Sequence, residues 1–156
     1  MAYDFNADEI FEMAEQIERN GVKFYEAAAK GIDGADNKKL LKELADMERM
    51  HEKVFAAMKA KLSGRQKGAT VFDPEGEAAK YLKALADIRV FYEKAIDLSS
   101  MKSILKDAIT AEKDSIVFYL GMKELVPEKD GKAKLDDIIR EEMSHITILA
   151  NKLARA

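Results

Sequence analysis

The chain has 156 residues, with 29 acidic and 26 basic side chains, two histidines and no cysteine. This length favours a single domain, residues 1–156, that can bury a substantial core. The absence of cysteine excludes disulfides, thiol nucleophiles and cysteine-ligated zinc or iron–sulfur sites. A formal charge of −3 gives no electrostatic reason to expect a nucleic-acid partner.

Hydropathy and the start of the chain suggest a location. No apolar run reaches the roughly 20 residues that a membrane helix needs, so we expect no membrane partner. The acidic residues 1–9 lack the pattern of a signal peptide, which predicts a cytoplasmic protein.

Helix-forming residues dominate the chain, and its only prolines are Pro74 and Pro127. Apolar residues recur at the spacing of an α-helix in four long segments. These segments predict helices over residues 8–30, 36–62, 100–126 and 132–155. The sequence therefore predicts an all-α domain.

The first and last connections between these helices are short. Residues 31–35 and residues 127–131 leave room only for tight turns, which predicts two antiparallel helical hairpins. The hairpins span residues 8–62 and 100–155. Together they predict a four-helix bundle.

The middle connection, residues 63–99, is long enough to return along the bundle, so the second and third helices can run parallel. Within this crossover, Asp73 and Pro74 predict the start of a short extra helix over residues 75–86. The apolar stretch over residues 81–92 can cover the bundle or join a dimer. We expect a homodimer, since a long crossover is also a segment that protomers can exchange.

An internal repeat relates the two hairpins. A shift of 94 residues superposes one hairpin on the other without a gap. The matching polar pairs are Glu18 and Glu112, Tyr25 and Tyr119, Glu48 and Glu142, and His51 and His145. The only two histidines therefore occupy equivalent places in two Glu-x-x-His motifs.

The four repeated glutamates lie on predicted core-facing stripes. Their neighbours one and two turns away are mostly apolar and include no lysine or arginine. Glu18 and Glu48 are equally distant from residue 33 in the first turn, and Glu112 and Glu142 from the start of the second. Equal distance from the turn means equal height in an antiparallel hairpin, so the motifs should meet near the middle of the bundle.

Four buried carboxylates at one level need compensation, and two divalent cations would balance their charge. Mixed carboxylate and imidazole donors suit iron or manganese, and zinc also fits. One Glu from each of two helices plus Glu-x-x-His from the other two is the signature of ferritin-like dimetal proteins.

Residues 14–25, 48–51, 108–119 and 142–145 carry a resemblance to the rubrerythrin branch of the ferritin-like superfamily, which extends over nearly the whole chain. The resemblance implies two iron ions and six metal ligands: Glu18, Glu48, His51, Glu112, Glu142 and His145. Glu48 and Glu142 would bridge the irons. Glu18 and His51 would complete the ligand shell of one iron, and Glu112 and His145 that of the other.

The resemblance also implies a reaction, the reduction of hydrogen peroxide or dioxygen in defence against oxidative stress. Tyr25 and Tyr119 would orient the carboxylate ligands, although an aromatic residue on a core stripe also serves as packing. Electrons would come from an external donor such as a rubredoxin-type protein, because typical rubrerythrins use a cysteine-ligated iron site that this chain lacks.

A second departure from the family pattern is Ser115, which stands where typical rubrerythrins have a further glutamate. It makes ferroxidase or iron-handling chemistry a close alternative, and a non-catalytic bundle with a vestigial site is the third interpretation. We expect Glu15 and Glu52, at the border of the inner face, to be solvated. The methionines are expected to fill the core or an interface: Met47, Met50, Met58 and Met143.

Overall fold

The structure is a computed structural model that describes residues 7–61, 80, 81, 84, 99–124, 126 and 129–156. These residues form four long helices and contain no strand: α1 (Ala7–Gly31), α2 (Ala35–Ala60), α3 (Met101–Lys123) and α4 (Lys129–Ala154). α1 packs mainly against α2 and α3 mainly against α4, with further contacts between α1 and α3 and between α2 and α4. The predicted all-α four-helix bundle is confirmed.

Local chemistry explains how several helices begin. Gly34 has a φ of 98°, a conformation that glycine adopts without strain, and it turns the chain directly into α2. Ser100 accepts a 3.1 Å hydrogen bond from the backbone N–H of Ser103, which caps the start of α3.

The second hairpin departs from its predicted boundaries. α3 ends at Lys123 instead of residue 126, and α4 begins at Lys129 instead of residue 132. The helix therefore includes Gly131, where a Cβ atom would lie only 2.7 Å from Cγ1 of Val126. This glycine permits a close approach to the loop, whereas the sequence interpretation treated it as part of the turn.

The crossover is described at only a few positions. Lys80, Tyr81 and Ala84 are helical, in agreement with the short helix expected there. The Tyr81 hydroxyl donates a 2.7 Å hydrogen bond to the carbonyl of Val117, which attaches this part of the chain to α3. The remaining residues of the predicted helix 75–86 and of the stretch 81–92 lie outside the described residues.

Two apolar clusters fill the bundle. One combines the N-terminal half of α1, the C-terminal halves of α2 and α3 and the start of α4, and includes Phe55 and Phe118. The other combines the opposite halves and includes Leu44 and Leu105. Since α2 and α3 contribute the same halves to each cluster, they run parallel, as the long crossover predicts. The middle of the bundle lies between the clusters.

The exposed faces carry several large apolar side chains. Met50 and Met143 are 62% and 56% exposed, whereas Met58 is buried in the core. Of these three methionines, Met58 therefore belongs to the core, and the other two stay predictions for an interface. None of the helices in the described part of the chain is both long enough and apolar enough to cross a lipid bilayer.

Candidate metal centre

The six predicted ligands come together in the space between the two apolar clusters. Each of the four helices supplies a glutamate, and α2 and α4 each add a histidine one turn later. Helical spacing explains this, because residues three apart lie on one face. All six side chains are buried, with 1% to 4% of their surface exposed: Glu18, Glu48, His51, Glu112, Glu142 and His145.

One group of donors surrounds Nδ1 of His51. This nitrogen lies 2.7 Å from Oε1 of Glu142, 3.3 Å from Oε2 of Glu48 and 3.6 Å from Oε2 of Glu18. Donor atoms of the four residues lie within 4.8 Å of one another. We call this group the His51 position.

The second group surrounds Nδ1 of His145. This nitrogen lies 3.4 Å from Oε1 of Glu112, 3.7 Å from Oε1 of Glu48 and 3.8 Å from Oε2 of Glu142. We call this group the His145 position. Glu48 and Glu142 therefore direct one carboxylate oxygen to each position, which is the geometry that a bridging ligand requires.

Unpaired atoms show what the site can hold. Four buried nitrogen and oxygen atoms among the described residues make no hydrogen bond of suitable geometry, although other polar atoms lie close to them: Nδ1 of His51, Oε2 of Glu112, Oε1 of Glu142 and Nδ1 of His145. Burial without a partner is costly. Two ligand atoms that each lie about 2.1 Å from a metal ion, in directions at right angles, are about 3 Å apart. Several of the nitrogen–oxygen distances given above are close to this value. The donor set fits two divalent cations.

Two tyrosines hold the two glutamates that belong to one position each. The hydroxyl of Tyr25 donates a 2.6 Å hydrogen bond to Oε1 of Glu112, and that of Tyr119 donates a 2.5 Å hydrogen bond to Oε1 of Glu18. Each tyrosine thus contacts the glutamate of the other hairpin. Both are buried, so these contacts take place without competing water.

Comparison with known proteins agrees with this geometry. The Rubrerythrin family model matches residues 9–153. The chain belongs to the rubrerythrin family. A solved structure from Thermotoga maritima, described as a ferritin-like diiron-carboxylate protein, is 23% identical, covers 99% of this chain and 98% of its own, and superposes with a TM-score of 0.72. That likeness confirms the ferritin-like fold. No curated protein matches the sequence.

Burial controls the charge of the rubrerythrin-type carboxylates when no metal is present. Burial and the negative charge of Glu48 raise the pKa values of Glu18 and Glu142 well above 4.5, and that of Glu112 above it. Burial also acts to raise the pKa of Glu48, but Glu18 and the two histidine rings beside it hold this pKa well below 4.5. In the metal-free state, Glu48 therefore ionises more readily than the other three glutamates of the cluster.

The pKa values of the two histidines depend on burial and on the neighbouring carboxylates in the opposite sense to those of the glutamates. Burial alone would lower the pKa of each imidazole, but the carboxylates beside Nδ1 outweigh it. The pKa of His145 rises to about 9 because of Glu112 and Glu48, and that of His51 rises far above its usual range because of Glu142, Glu18 and Glu48. Protons thus occupy the metal-free centre, and cations must displace them.

The sequence interpretation missed the residues at the outer edge of the histidines. Nε2 of His51 lies 2.5 Å from Oε2 of Glu141, and Nε2 of His145 lies 3.0 Å from Sδ of Met47. Met47 is 40% exposed, so it lies outside the core. A signal was present, because positions 47 and 141 match in the internal repeat and each precedes a histidine by one turn.

One expectation at the border of the site is wrong. Glu15 is 7% exposed instead of solvated, and its carboxylate lies 3.6 Å from Nη2 of Arg19 and 3.9 Å from Nζ of Lys59. These cations compensate its burial, and they lie on α1 and α2, outside the ligand set. Glu52 is half-buried and accepts a 2.7 Å hydrogen bond from Arg19.

The two hairpins also differ at one pair of matching positions near the site. A Cβ atom on Gly21 would lie 3.3 Å from Cγ of Glu48, so α1 approaches this ligand closely. The matching position of the repeat is Ser115, whose hydroxyl donates a 3.0 Å hydrogen bond to the carbonyl of Ala111 in its own helix. Neither position supplies the further carboxylate of typical rubrerythrins.

Proposed function

We propose that this rubrerythrin-family chain binds two iron ions and reduces hydrogen peroxide or dioxygen with electrons from an external donor. The observation that supports this proposal is the placement of Glu48 and Glu142, each with one oxygen in the His51 position and one in the His145 position. Two ions that share carboxylates can act together in a two-electron reaction.

The donor set supports the choice of metal. Four carboxylates balance the charge of two divalent cations, and six oxygen and nitrogen donors without sulfur suit iron. Manganese or zinc would fit the same donors. When bound, two ferrous ions supply the two electrons that convert hydrogen peroxide, with two protons, into two water molecules.

The protein's own residues provide position and shelter. Tyr25 and Tyr119 hold Glu112 and Glu18 in place across the bundle, each through a phenolic proton directed at Oε1. The apolar clusters on both sides limit the entry of water. We propose that oxidant enters a centre whose ligands need little rearrangement.

The electron donor, the location and the oligomer complete the proposal. The 156 residues contain no cysteine, so a rubredoxin-type iron site must lie outside them, and a separate rubredoxin-type protein fits this role. We propose a cytoplasmic homodimer, which the large apolar side chains on the described helices support, Leu120 and Met143 among them. Sedimentation velocity tests the dimer.

A second candidate is ferroxidation, in which the same centre oxidises ferrous iron for storage or delivery. Ser115 favours it, since the hydroxyl bonds within its own helix and adds no carboxylate to the six ligands. In a peroxidase cycle that moves an iron between ligands, an alternative ligand is needed. Six ligands divided between two similar positions provide no such additional ligand. Assembly into a hollow shell would support storage over peroxide reduction.

The deciding experiment is anaerobic loading with ferrous iron, followed by one equivalent of peroxide or of oxygen, with iron content and absorbance recorded. We expect about two irons per chain and faster oxidation by peroxide than by oxygen. Faster oxidation by oxygen with continued iron uptake would favour ferroxidation. Iron at trace occupancy would leave a non-catalytic bundle with a vestigial site.

A further inference from the structure

The two histidines of the centre have different partners on their outer side. Nε2 of His51 lies 2.5 Å from the carboxylate of Glu141 on α4, whereas Nε2 of His145 lies 3.0 Å from the thioether of Met47 on α2. Glu141 and Met47 occupy matching positions of the internal repeat. The approximate symmetry of the six ligands is therefore broken at this pair of residues.

The difference matters because of how each imidazole would bind a metal ion. Nδ1 of each ring faces the carboxylates, so binding through Nδ1 leaves the proton on Nε2. A carboxylate is a strong acceptor for this proton, and a thioether is a weak one. A carboxylate partner holds the ring in one orientation and makes the ligating nitrogen more basic.

We propose that Glu141 is a positioning residue for His51 and that it makes the His51 position bind its metal ion more tightly than the His145 position. Met47 gives His145 no comparable support, so the two ions differ in affinity although their direct ligands correspond. This inference rests on the proposed function, because it requires that the centre holds two metal ions.

The surroundings of Glu141 allow this role to be separated from folding. Its side chain is 61% exposed, whereas that of His51 is 2% exposed. Replacing the carboxylate with an amide removes the negative charge of the acceptor at the surface, so the hydrogen bond weakens, and it leaves the packed interior in place. Asp137 lies one turn earlier on α4 with its side chain 68% exposed, and its carboxylate contacts Arg140. It provides a matched control for the loss of one negative charge.

The test is a calorimetric titration of the metal-free full chain with Co²⁺, whose absorption also reports on the ligand set. We expect two binding steps whose affinities differ by about tenfold or more. Glu141→Gln should weaken the tighter step by about 10- to 100-fold and leave the other step unchanged. Asp137→Asn should change neither, and the tighter step should disappear in His51→Gln.

A substitution that adds a carboxylate beside His145 tests the same inference through a gain in metal affinity. Met47→Glu should strengthen the weaker step, because it offers His145 the acceptor that His51 already has. Met50→Glu adds the same charge at a more exposed position of α2 and should have a much smaller effect.

A spectroscopic readout separates positioning from a general loss of structure. In the Co²⁺-loaded protein, the Nε2–H proton of His51 should give a slowly exchanging, strongly shifted NMR signal, and this proton should exchange faster in Glu141→Gln, whose neutral amide oxygen is a weaker acceptor. Two steps that respond to Glu141→Gln no more than to Asp137→Asn would overturn this inference alone. Absence of Co²⁺ binding in the unmodified chain would instead contradict the dimetal centre itself.

Discussion

The hydroxyl of Tyr25, on α1, donates a 2.6 Å hydrogen bond to Oε1 of Glu112, on α3. The matching pair of the repeat, Tyr119 and Glu18, makes the reciprocal contact. Each hairpin thus holds a ligand of the other, so the packing of the hairpins and the geometry of the centre depend on each other.

Removal of one hydroxyl tests this dependence. Tyr25→Phe keeps the ring but leaves the buried Glu112 oxygen without its donor, which costs about 1–3 kcal/mol of unfolding free energy. We expect weaker metal binding at the His145 position, by about tenfold. Urea unfolding and Co²⁺ titration measure both effects. Tyr81→Phe is the control, since its hydroxyl bonds to a backbone carbonyl at the surface; an equal effect there would contradict the prediction.

The bridging glutamates should differ from the others in how many ions they affect. Glu48→Gln removes a charged oxygen from both positions, so we expect both binding steps to weaken. Glu18→Gln should weaken only the step at the His51 position. Metal content after dialysis against a weak chelator measures the difference. Glu43→Gln, at an exposed acid of α2, should retain two ions; similar losses in Glu48→Gln and Glu18→Gln would argue against bridging.

The metal-free protein should lose stability as the pH rises. The pKa of His145 is about 9 in the folded chain and about 6.5 in the unfolded one. The contribution of protonated His145 to the free energy of unfolding is fully present below about pH 6.5, and it is lost as the pH rises through about 9. The raised pKa values of Glu18 and Glu142 act in the same direction from about pH 4.5 upward.

Urea unfolding in metal-free buffer between about pH 6 and pH 9 measures this effect. Each proton held only by the folded state contributes a slope of up to about 1.4 kcal/mol per pH unit. The carboxylates of Glu48, Glu112 and Glu142 face His145, so His145→Gln should reduce the slope. With saturating metal the trend should reverse, because ligands must be deprotonated to bind. A metal-free stability independent of pH would contradict the charge assignment.

Gly21 should be needed for the position of Glu48. Even a Cβ atom there would lie 3.3 Å from Cγ of this ligand, and the branched side chain of Gly21→Val would require Glu48 to move. We expect metal affinity to fall by tenfold or more, a loss typical of misplaced ligands, while circular dichroism still shows a helical bundle. Ser115→Val is the control at the matching position. Because Ser115 already has a side chain there, this variant should retain an affinity close to that of the unmodified chain.

Much of the fold could be predicted because a helix imposes a fixed period. Apolar spacing predicts the four helices to within a few residues, and the repeat that pairs His51 with His145 predicts the six side chains that the bundle brings together. The errors lie at the ends, where α4 includes Gly131, a residue that closely approaches Val126. Spacing within one helix does not reveal such a contact.

The neighbours of the ligands were harder to predict. Glu15 was expected to be solvated because it borders the inner face, yet Arg19 and Lys59 compensate its burial. Glu141 is one of many acidic residues on α4, and its contact with His51 depends on how α2 and α4 pack. The sequence contains these residues but does not reveal their partners across the bundle.

The amino-acid sequence is enough to establish the helical architecture, the two related hairpins and the presence of two Glu-x-x-His motifs near one level. These properties follow from the period of the helix and from equal distances along the chain to each turn. The packed bundle is needed to show which nitrogen of each histidine faces the carboxylates and which tyrosine holds which glutamate. It also shows that His51 contacts Glu141 while His145 contacts Met47. Those contacts join different helices, and side-chain rotamers and interhelical packing set them.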